Sequence, residues 1–76
     1  MELYRNIYVD YDTGNVIHDI TGTKEKVTAE CECWFTCNID KWENMLWGWR
    51  DVVTETLENG DTLTTRKKYY RSTKYF

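Results

Sequence analysis

Three cysteines and the single histidine are the residues of this chain whose types could bind a metal ion. Cys31, Cys33 and Cys37 lie close together, and His18 precedes them. Three thiolates and one imidazole form a valid tetrahedral zinc set, but zinc ribbons place paired cysteines about two to four residues apart across a tight turn. Buried cysteine also serves as a small hydrophobic residue. We therefore predict core filling with no cofactor, and metal binding or redox switching stay as alternatives.

Residues 27–39 alternate between apolar and polar side chains, which indicates a long β-strand. The apolar side chains occupy the odd positions, Val27, Ala29, Cys31, Cys33, Phe35, Cys37 and Ile39. Because side chains alternate across a strand, this pattern predicts one buried face that contains all three thiols. It leaves Trp34 among acidic residues on the solvent side.

Other stretches predict the remaining elements. Residues 3–11 and 16–20 alternate as well, and the turn between them contains Gly14, so the first half of the chain is predicted to be a three-stranded meander. Residues 40–50 have helical spacing, with Asp40 as N-cap and apolar side chains at Trp42, Met45, Leu46 and Trp49. Asn59 and Gly60 between threonine-rich runs predict a second hairpin. It would pair Thr56 with Leu63 and Thr54 with Thr65. The alternative is a helix that continues to residue 58.

These elements predict one domain, residues 1–76, of the α+β class. It consists of a small antiparallel β-sheet (about five strands, two hairpins) with one short α-helix packed on one face. A chain of this size buries only about 60% of its unfolded surface. Its four Trp, six Tyr and two Phe are expected to supply much of the core. A thin core and a long strand also make a homodimer an expected alternative to a monomer.

The charges are unevenly distributed along the chain. Residues 1–65 contain all 13 acidic residues and five of the ten basic ones, so their net charge is −8. Residues 66–76 contain five bases and no acid, so their net charge is +5. Bases and aromatics that alternate can neutralise phosphates and stack on nucleobases. The candidate nucleic-acid-binding residues are Arg66, Lys67, Lys68, Tyr69, Tyr70, Arg71 and Lys74. The alternative is that this segment is the last strand.

An acidic and aromatic surface is the better candidate for binding a partner. On the predicted sheet, its residues share the solvent side: Trp34, Glu30, Glu32, Tyr4, Tyr8 and Asp10, with Trp47 as a further anchor. Exposed Trp and Tyr are typical binding anchors, and carboxylates around them attract a basic partner. The alternative is that the helix or the second hairpin covers this face, which would make the aromatics ordinary packing residues.

No motif in the chain indicates catalysis, so we predict that the protein is not an enzyme. We expect a small acidic interaction module, an inhibitor or adaptor of a larger, basic partner that handles nucleic acid. By size and charge alone it is analogous to phage-encoded inhibitors of host defence, including anti-CRISPR proteins. The alternatives are a weak nucleic-acid-binding domain and a small metal or redox protein. No stretch approaches the ~20 apolar residues of a membrane span. We expect a cytoplasmic protein, in the host cytoplasm if phage-encoded.

Overall fold

One mixed sheet and one helix make up the protein. The structure is a computed structural model that describes residues 1–45 and 47–75, apart from the side chain of Tyr75. Its elements in chain order are β1 (Glu2–Asp10), β2 (Val16–Gly22), α1 (Lys24–Asn38), β3 (Trp42–Asn44), β4 (Arg50–Thr56), β5 (Thr62–Ser72) and a 3₁₀ turn (Thr73–Tyr75). Five strands and one helix that packs against β1 and β2 confirm the predicted α+β class.

The sheet has the order β2-β1-β5-β3, and β4 also pairs with β5. Three of its pairings are antiparallel, but β1 and β5 run parallel over the whole length of β1, so the sheet is mixed rather than wholly antiparallel. β4 and β3 pair with successive parts of β5, with Thr62–Lys67 and with Tyr70–Ser72. The last strand is therefore the centre of the sheet, with partners on both edges.

Residues 27–39 do not form a strand, because residues 24–38 fold as α1. The Thr23 hydroxyl accepts a hydrogen bond from the Lys26 backbone N–H and caps the first turn. The side chains that α1 directs at the core are spaced as on a helix: Val27, Cys31, Trp34 and Phe35. The alternation was misleading because it counted Ala29, Cys33 and Cys37 as core residues, and all three are exposed. The predicted meander is therefore a hairpin followed by a helix.

Residues 40–50 do not form the predicted helix. They contain β3, which pairs with the end of β5, and the first residue of β4, Arg50, whereas residues 45 and 47–49 belong to no helix or strand. The predicted N-cap, Asp40, instead accepts a hydrogen bond on its backbone oxygen from the Thr73 hydroxyl. Of the four predicted helix-face residues, Leu46 lies outside the described residues. Helical spacing over a few residues is a weak signal when the same residues can pair with a neighbouring strand, here β5.

Both predicted hairpins are present. In the first, Gly14 has φ of 78° and donates its N–H to the Asp10 carbonyl at 2.8 Å. In the second, Gly60 has φ of 90°, and Asn-Gly lies within a longer turn. The register differs by one residue from the prediction, since Thr56 pairs with Thr62 and Thr54 with Thr64. The longer turn places Leu57 outside the ladder and shifts every pair.

Alternation along β1 and β5 gives the sheet two distinct faces. On the covered face, under α1, Tyr8, Ile20 and Tyr70 pack against Val27 and Cys31. On the open face lie the odd-numbered residues of both strands, which include Ile7, Val9, Lys67 and Tyr69. Among the described residues, no helix packs on the open face. No helix in the described part of the chain is long and apolar enough to cross a membrane.

α1 connects β2 to β3, which run parallel to each other with two strands between them. Such crossovers are right-handed in nearly all proteins, and this preference limits the helix to one face of the sheet. The sequence of β1 does not select the face, because every residue from Asn6 to Asp10 is buried.

Candidate functional site

The acidic-aromatic surface predicted from the sequence does not assemble, because its main aromatic residues lie in the core. Trp34 is half-buried and stacks on His18, with ring centroids 5.2 Å apart and an interplanar angle of 17°. Its ring centroid also lies 4.8 Å from that of Tyr8, which is only 4% exposed. Since residues 24–38 are helical, Trp34 turns toward the sheet rather than toward solvent.

The remaining residues of that predicted surface are dispersed. Tyr4 is half-buried beside the core. Asp10 is buried, and its carboxylate accepts hydrogen bonds from a backbone N–H and a threonine hydroxyl in the following turn. Glu30 and Glu32 are exposed on α1. Trp47 lies on the opposite side of the sheet. These five residues, Tyr8 and Trp34 therefore do not share one face.

The thiols do not share one face either. Cys31 is buried and accepts a hydrogen bond from the Asn6 amide at 3.6 Å, whereas Cys33 and Cys37 are exposed on the outside of α1. The prediction that all three face the core is wrong for Cys33 and Cys37, because it rested on a strand. Within residues 1–45 and 47–75, no group of three or more His, Cys, Asp or Glu side chains could hold a metal ion.

The basic C-terminal segment is an internal strand rather than a free tail. Its side chains alternate between the two faces, so Arg66 and Lys68 lie on the covered face and Lys67 on the open face. Tyr70 is 2% exposed and is not available to stack on a nucleobase. Arg71 donates to the Asp12 carboxylate at 3.2 Å. Lys74 is exposed in the final turn. The seven residues predicted to bind nucleic acid do not form one surface.

Three aromatic rings meet on the open face, and we call them the aromatic cluster: Tyr11, Trp47 and Tyr69. The ring centroids of Tyr11 and Trp47 are 5.1 Å apart at an interplanar angle of 77°. Tyr69 lies 6.1 Å from Trp47 and 6.5 Å from Tyr11, again nearly edge-on. Such edge-to-face contacts are the preferred arrangement of aromatic pairs. The cluster is nevertheless accessible, since Tyr11 is 48% and Trp47 38% exposed.

The backbone between β3 and β4 explains how Trp47 reaches the open face. The two strands follow one another along the same edge of β5, and the intervening segment leaves the ladder after the Met45 N–H bonds to the Tyr69 carbonyl at 3.1 Å. Trp47 then extends to the open face and Trp49 to the covered face. Asp51 has φ of 52°, a left-handed conformation that Asp tolerates better than most residues.

Charged side chains flank the aromatic cluster. The Arg50 guanidinium lies over the Trp47 ring, with its central carbon 5.2 Å from the ring centroid. The Asp51 carboxylate accepts a hydrogen bond from the Tyr69 hydroxyl at 3.3 Å. Val16 and Val53 extend the apolar surface along the same face, at 58% and 61% exposure. The open face therefore presents aromatic, arginine and β-branched side chains together.

A cleft of about 270 Å³ lies on the covered face, between α1 and the segment before β4. Its lining combines polar and aromatic side chains from both sides: Asn6, Tyr8, Thr28, Cys31, Glu32, Phe35, Asn44, Trp49, Arg66, Lys68 and Tyr70. We call it the Arg66 cleft.

The phenols of the Arg66 cleft stay protonated. Burial raises the pKa of Tyr8 far above that of a free tyrosine, and hydrogen bonds with the Cys31 thiol and with Tyr70 raise it further. Burial also raises the pKa of Tyr70, although the hydrogen bond with Tyr8 opposes this shift. Both hydroxyls therefore act as neutral hydrogen-bonding groups at neutral pH.

Comparison of the chain with family models, with curated proteins and with solved structures gives no match. Function must therefore be argued from the residues of the two sites.

Several residues of these sites were not among the sequence candidates. On the open face they are Tyr11 and Arg50, and in the cleft Asn6, Asn44 and Trp49. Tyr11 lies within the alternating residues 3–11, but the sequence did not single it out as a site residue. Nothing in the sequence indicated that the rings of Trp47 and Trp49 lie on opposite faces, because side chains two residues apart point to the same side of an extended chain.

Proposed function

We propose that this protein is a small interaction module, an inhibitor or adaptor, that binds a larger protein partner through its aromatic cluster. The observation that carries the proposal is the cluster itself: the exposed rings of Tyr11 and Trp47 beside half-buried Tyr69, with Arg50 over Trp47, on the face without a helix. Trp, Tyr and Arg contribute most to the energetic centres of protein interfaces. The rings of Tyr11 and Trp47 already contact Tyr69, so little side-chain entropy is lost when a partner binds.

The partner that fits this surface has a basic rim, as a protein that handles nucleic acid has. The chain has a net charge of −3. Asp51 adds a carboxylate beside the cluster, where it accepts a hydrogen bond from the Tyr69 hydroxyl. Such charges speed the encounter with a basic partner. Three free thiols suit the reducing cytoplasm in which we place this interaction.

A quantitative pull-down from lysate, with nuclease added, tests the proposal. Trp47→Ala removes the central ring of the cluster, and Ile39→Ala is the matched control, because Ile39 is 58% exposed just after α1 and away from the cluster. The proposal predicts one protein that is captured by the wild type and by Ile39→Ala and reduced at least about tenfold with Trp47→Ala. Equal capture by Trp47→Ala, with an unchanged circular dichroism spectrum, would contradict it.

The basic character of the partner has a separate test. Asp51→Asn removes the charge beside the cluster while keeping an acceptor and a residue that tolerates positive φ. Glu58→Gln removes one charge at the far end of the second hairpin and is the control. Asp51→Asn should slow association with the captured partner several-fold, and Glu58→Gln should not. Equal rates for both variants would remove the support for a basic rim.

A second copy of the chain is the rival occupant of the open face. Sedimentation equilibrium distinguishes it: the proposal predicts a monomer for the wild type. A dimer that dissociates on Trp47→Ala substitution would assign the aromatic cluster to self-association instead.

A further inference from the structure

Two cations line the Arg66 cleft and form no ion pair among the described residues. The ion pairs formed among the described residues involve the N-terminus, Arg5 and Arg71, and none involves Arg66 or Lys68. The two side chains lie two residues apart on β5 and so point to the same side of the strand. Both also approach the Trp49 ring, with the Arg66 guanidinium carbon at 4.1 Å and the Lys68 ammonium at 5.2 Å from its centroid.

The Arg66 side chain is fixed in place. Its Nε donates to the Oδ1 atom of Asn6 at 2.8 Å, and Asn6 is only 1% exposed. The guanidinium lies between the rings of Trp49 and Tyr4, the latter with its centroid at 4.9 Å. These contacts use Nε and the flat faces of the group. The terminal nitrogens have no acceptor among the described residues. A fixed guanidinium with free terminal nitrogens suits an oxyanion.

The same cleft contains acceptors that lack donors. Asn44 Oδ1 is buried and has no hydrogen-bond partner in the described part of the chain. Glu32 supplies a carboxylate on the α1 side. A ligand that satisfies both sets of groups carries negative charge at one end and hydroxyls at the other. The volume of about 270 Å³ corresponds to about nine water molecules at about 30 Å³ each, so the ligand is small.

From this arrangement we infer that the Arg66 cleft binds a small hydroxylated phosphomonoester, with its phosphate on Arg66 and Lys68 and a hydroxyl donating to Asn44. Two cations that form no ion pair among the described residues suit the charge of about −2 on a phosphomonoester. A nucleic-acid strand fits less well, because Lys67 lies on the other face and Glu32 would face the backbone. This site lies on the face opposite the aromatic cluster, so it is independent of the proposed protein interaction.

Titration calorimetry with glycerol 3-phosphate as probe tests the inference, with inorganic phosphate, glycerol and lactate as comparisons. Lys68→Gln removes a cation from the cleft, and Lys67→Gln is the matched control, because it removes the neighbouring charge from the open face. Lys68→Arg restores the charge. We expect saturable binding of glycerol 3-phosphate that falls about tenfold with Lys68→Gln, stays within about twofold for Lys67→Gln and recovers with Lys68→Arg. Glycerol and lactate should not bind measurably.

Each other outcome overturns a defined part of the inference. Equal losses for Lys67→Gln and Lys68→Gln would show attraction by overall charge and no site. No heat and no shift of the Trp49 indole resonance in an NMR titration would exclude the site. Inorganic phosphate that binds as tightly as glycerol 3-phosphate would exclude the role of hydroxyls, and Asn44→Ala should produce this equality if the inference is correct. Thermal unfolding of every variant verifies that the fold is retained.

Discussion

Each face of the sheet holds a cluster of aromatic rings, but the two clusters have different surroundings. On the covered face, Tyr8, Trp34 and Tyr70 lie 4.8–5.6 Å apart under α1, and Tyr8 and Tyr70 are almost completely buried. On the open face, the rings of Tyr11, Trp47 and Tyr69 lie 5.1–6.5 Å apart, and those of Tyr11 and Trp47 remain accessible. The same residue types therefore stabilise the fold on one side and are free to bind on the other. The position of the helix makes the difference.

The largest expected contrast is between two tryptophans, one on each face. Trp34→Ala should lower the free energy of unfolding by about 3 kcal/mol, because it leaves a cavity between α1, Tyr8 and His18. Trp47→Ala should cost about 1 kcal/mol or less, because its ring is accessible and the side chain over it, Arg50, is itself exposed. Urea unfolding monitored by far-ultraviolet circular dichroism measures both. Equal losses would show that the open face is part of the core.

The thiols of α1 provide the next contrast. Cys33 and Cys37 are exposed, whereas Cys31 is buried, so a thiol-reactive reagent should modify two thiols quickly and the third about 100-fold more slowly, through local opening. Mass spectrometry of the modified peptides identifies each site. Three equally slow thiols would instead support the strand that the alternating pattern predicted.

Alkaline pH should destabilise the protein through the covered face. Because the pKa of Tyr8 is raised in the folded protein, its stabilising contribution is complete below the pKa of an unfolded tyrosine, about 10, and is lost as pH rises through the folded value. Each pH unit above about 10 should cost up to about 1.4 kcal/mol per buried phenol. Tyr8→Phe should flatten this dependence in urea unfolding at several pH values. If the unfolding free energy of Tyr8→Phe fell with pH as steeply as that of the wild type, the loss of stability would have to come from other groups.

The smallest effect is expected from the ion pair on the open face. Arg5 donates two hydrogen bonds to Asp19, at 3.0 Å and 2.6 Å, and lowers the pKa of that carboxyl. Its contribution is therefore present above the pKa of an unfolded Asp, about 3.9, and is lost as pH falls through the folded value. Because the pair is partly exposed, Arg5→Gln should cost only about 0.5 kcal/mol at neutral pH. A cost above that of Trp47→Ala would contradict this ranking.

The sequence predicted the fold class but not the two faces. The hairpins were predictable because Gly14 and Gly60 occupy positions that need positive φ. Residues 24–38 were not, because Thr and Cys suit a strand or a helix and their alternation coincided with a helical set at Val27, Cys31 and Trp34. A short-range pattern of apolar residues does not distinguish a strand from a helix when the apolar positions fit both.

The candidate site was predicted only in part, for a related reason. Trp47 was among the partner-binding candidates, but Tyr11 was not, because the face that α1 covers depends on its crossover between β2 and β3. The Arg66 cleft depends on contacts between residues 60 positions apart, such as Arg66 with Asn6. The parallel pairing of β1 and β5 that brings them together has no local sequence signal.

Photo-crosslinking in source lysate tests the central claim, that the open face binds a protein partner and the outer side of α1 does not. A photoreactive phenylalanine analogue would replace Tyr11 in the aromatic cluster or, in a separate variant, Thr36 on the exposed side of α1. The account predicts one covalent protein adduct from position 11 and none from position 36. The same adduct from position 36, and none from position 11, would show that the partner binds the helix and would contradict the account.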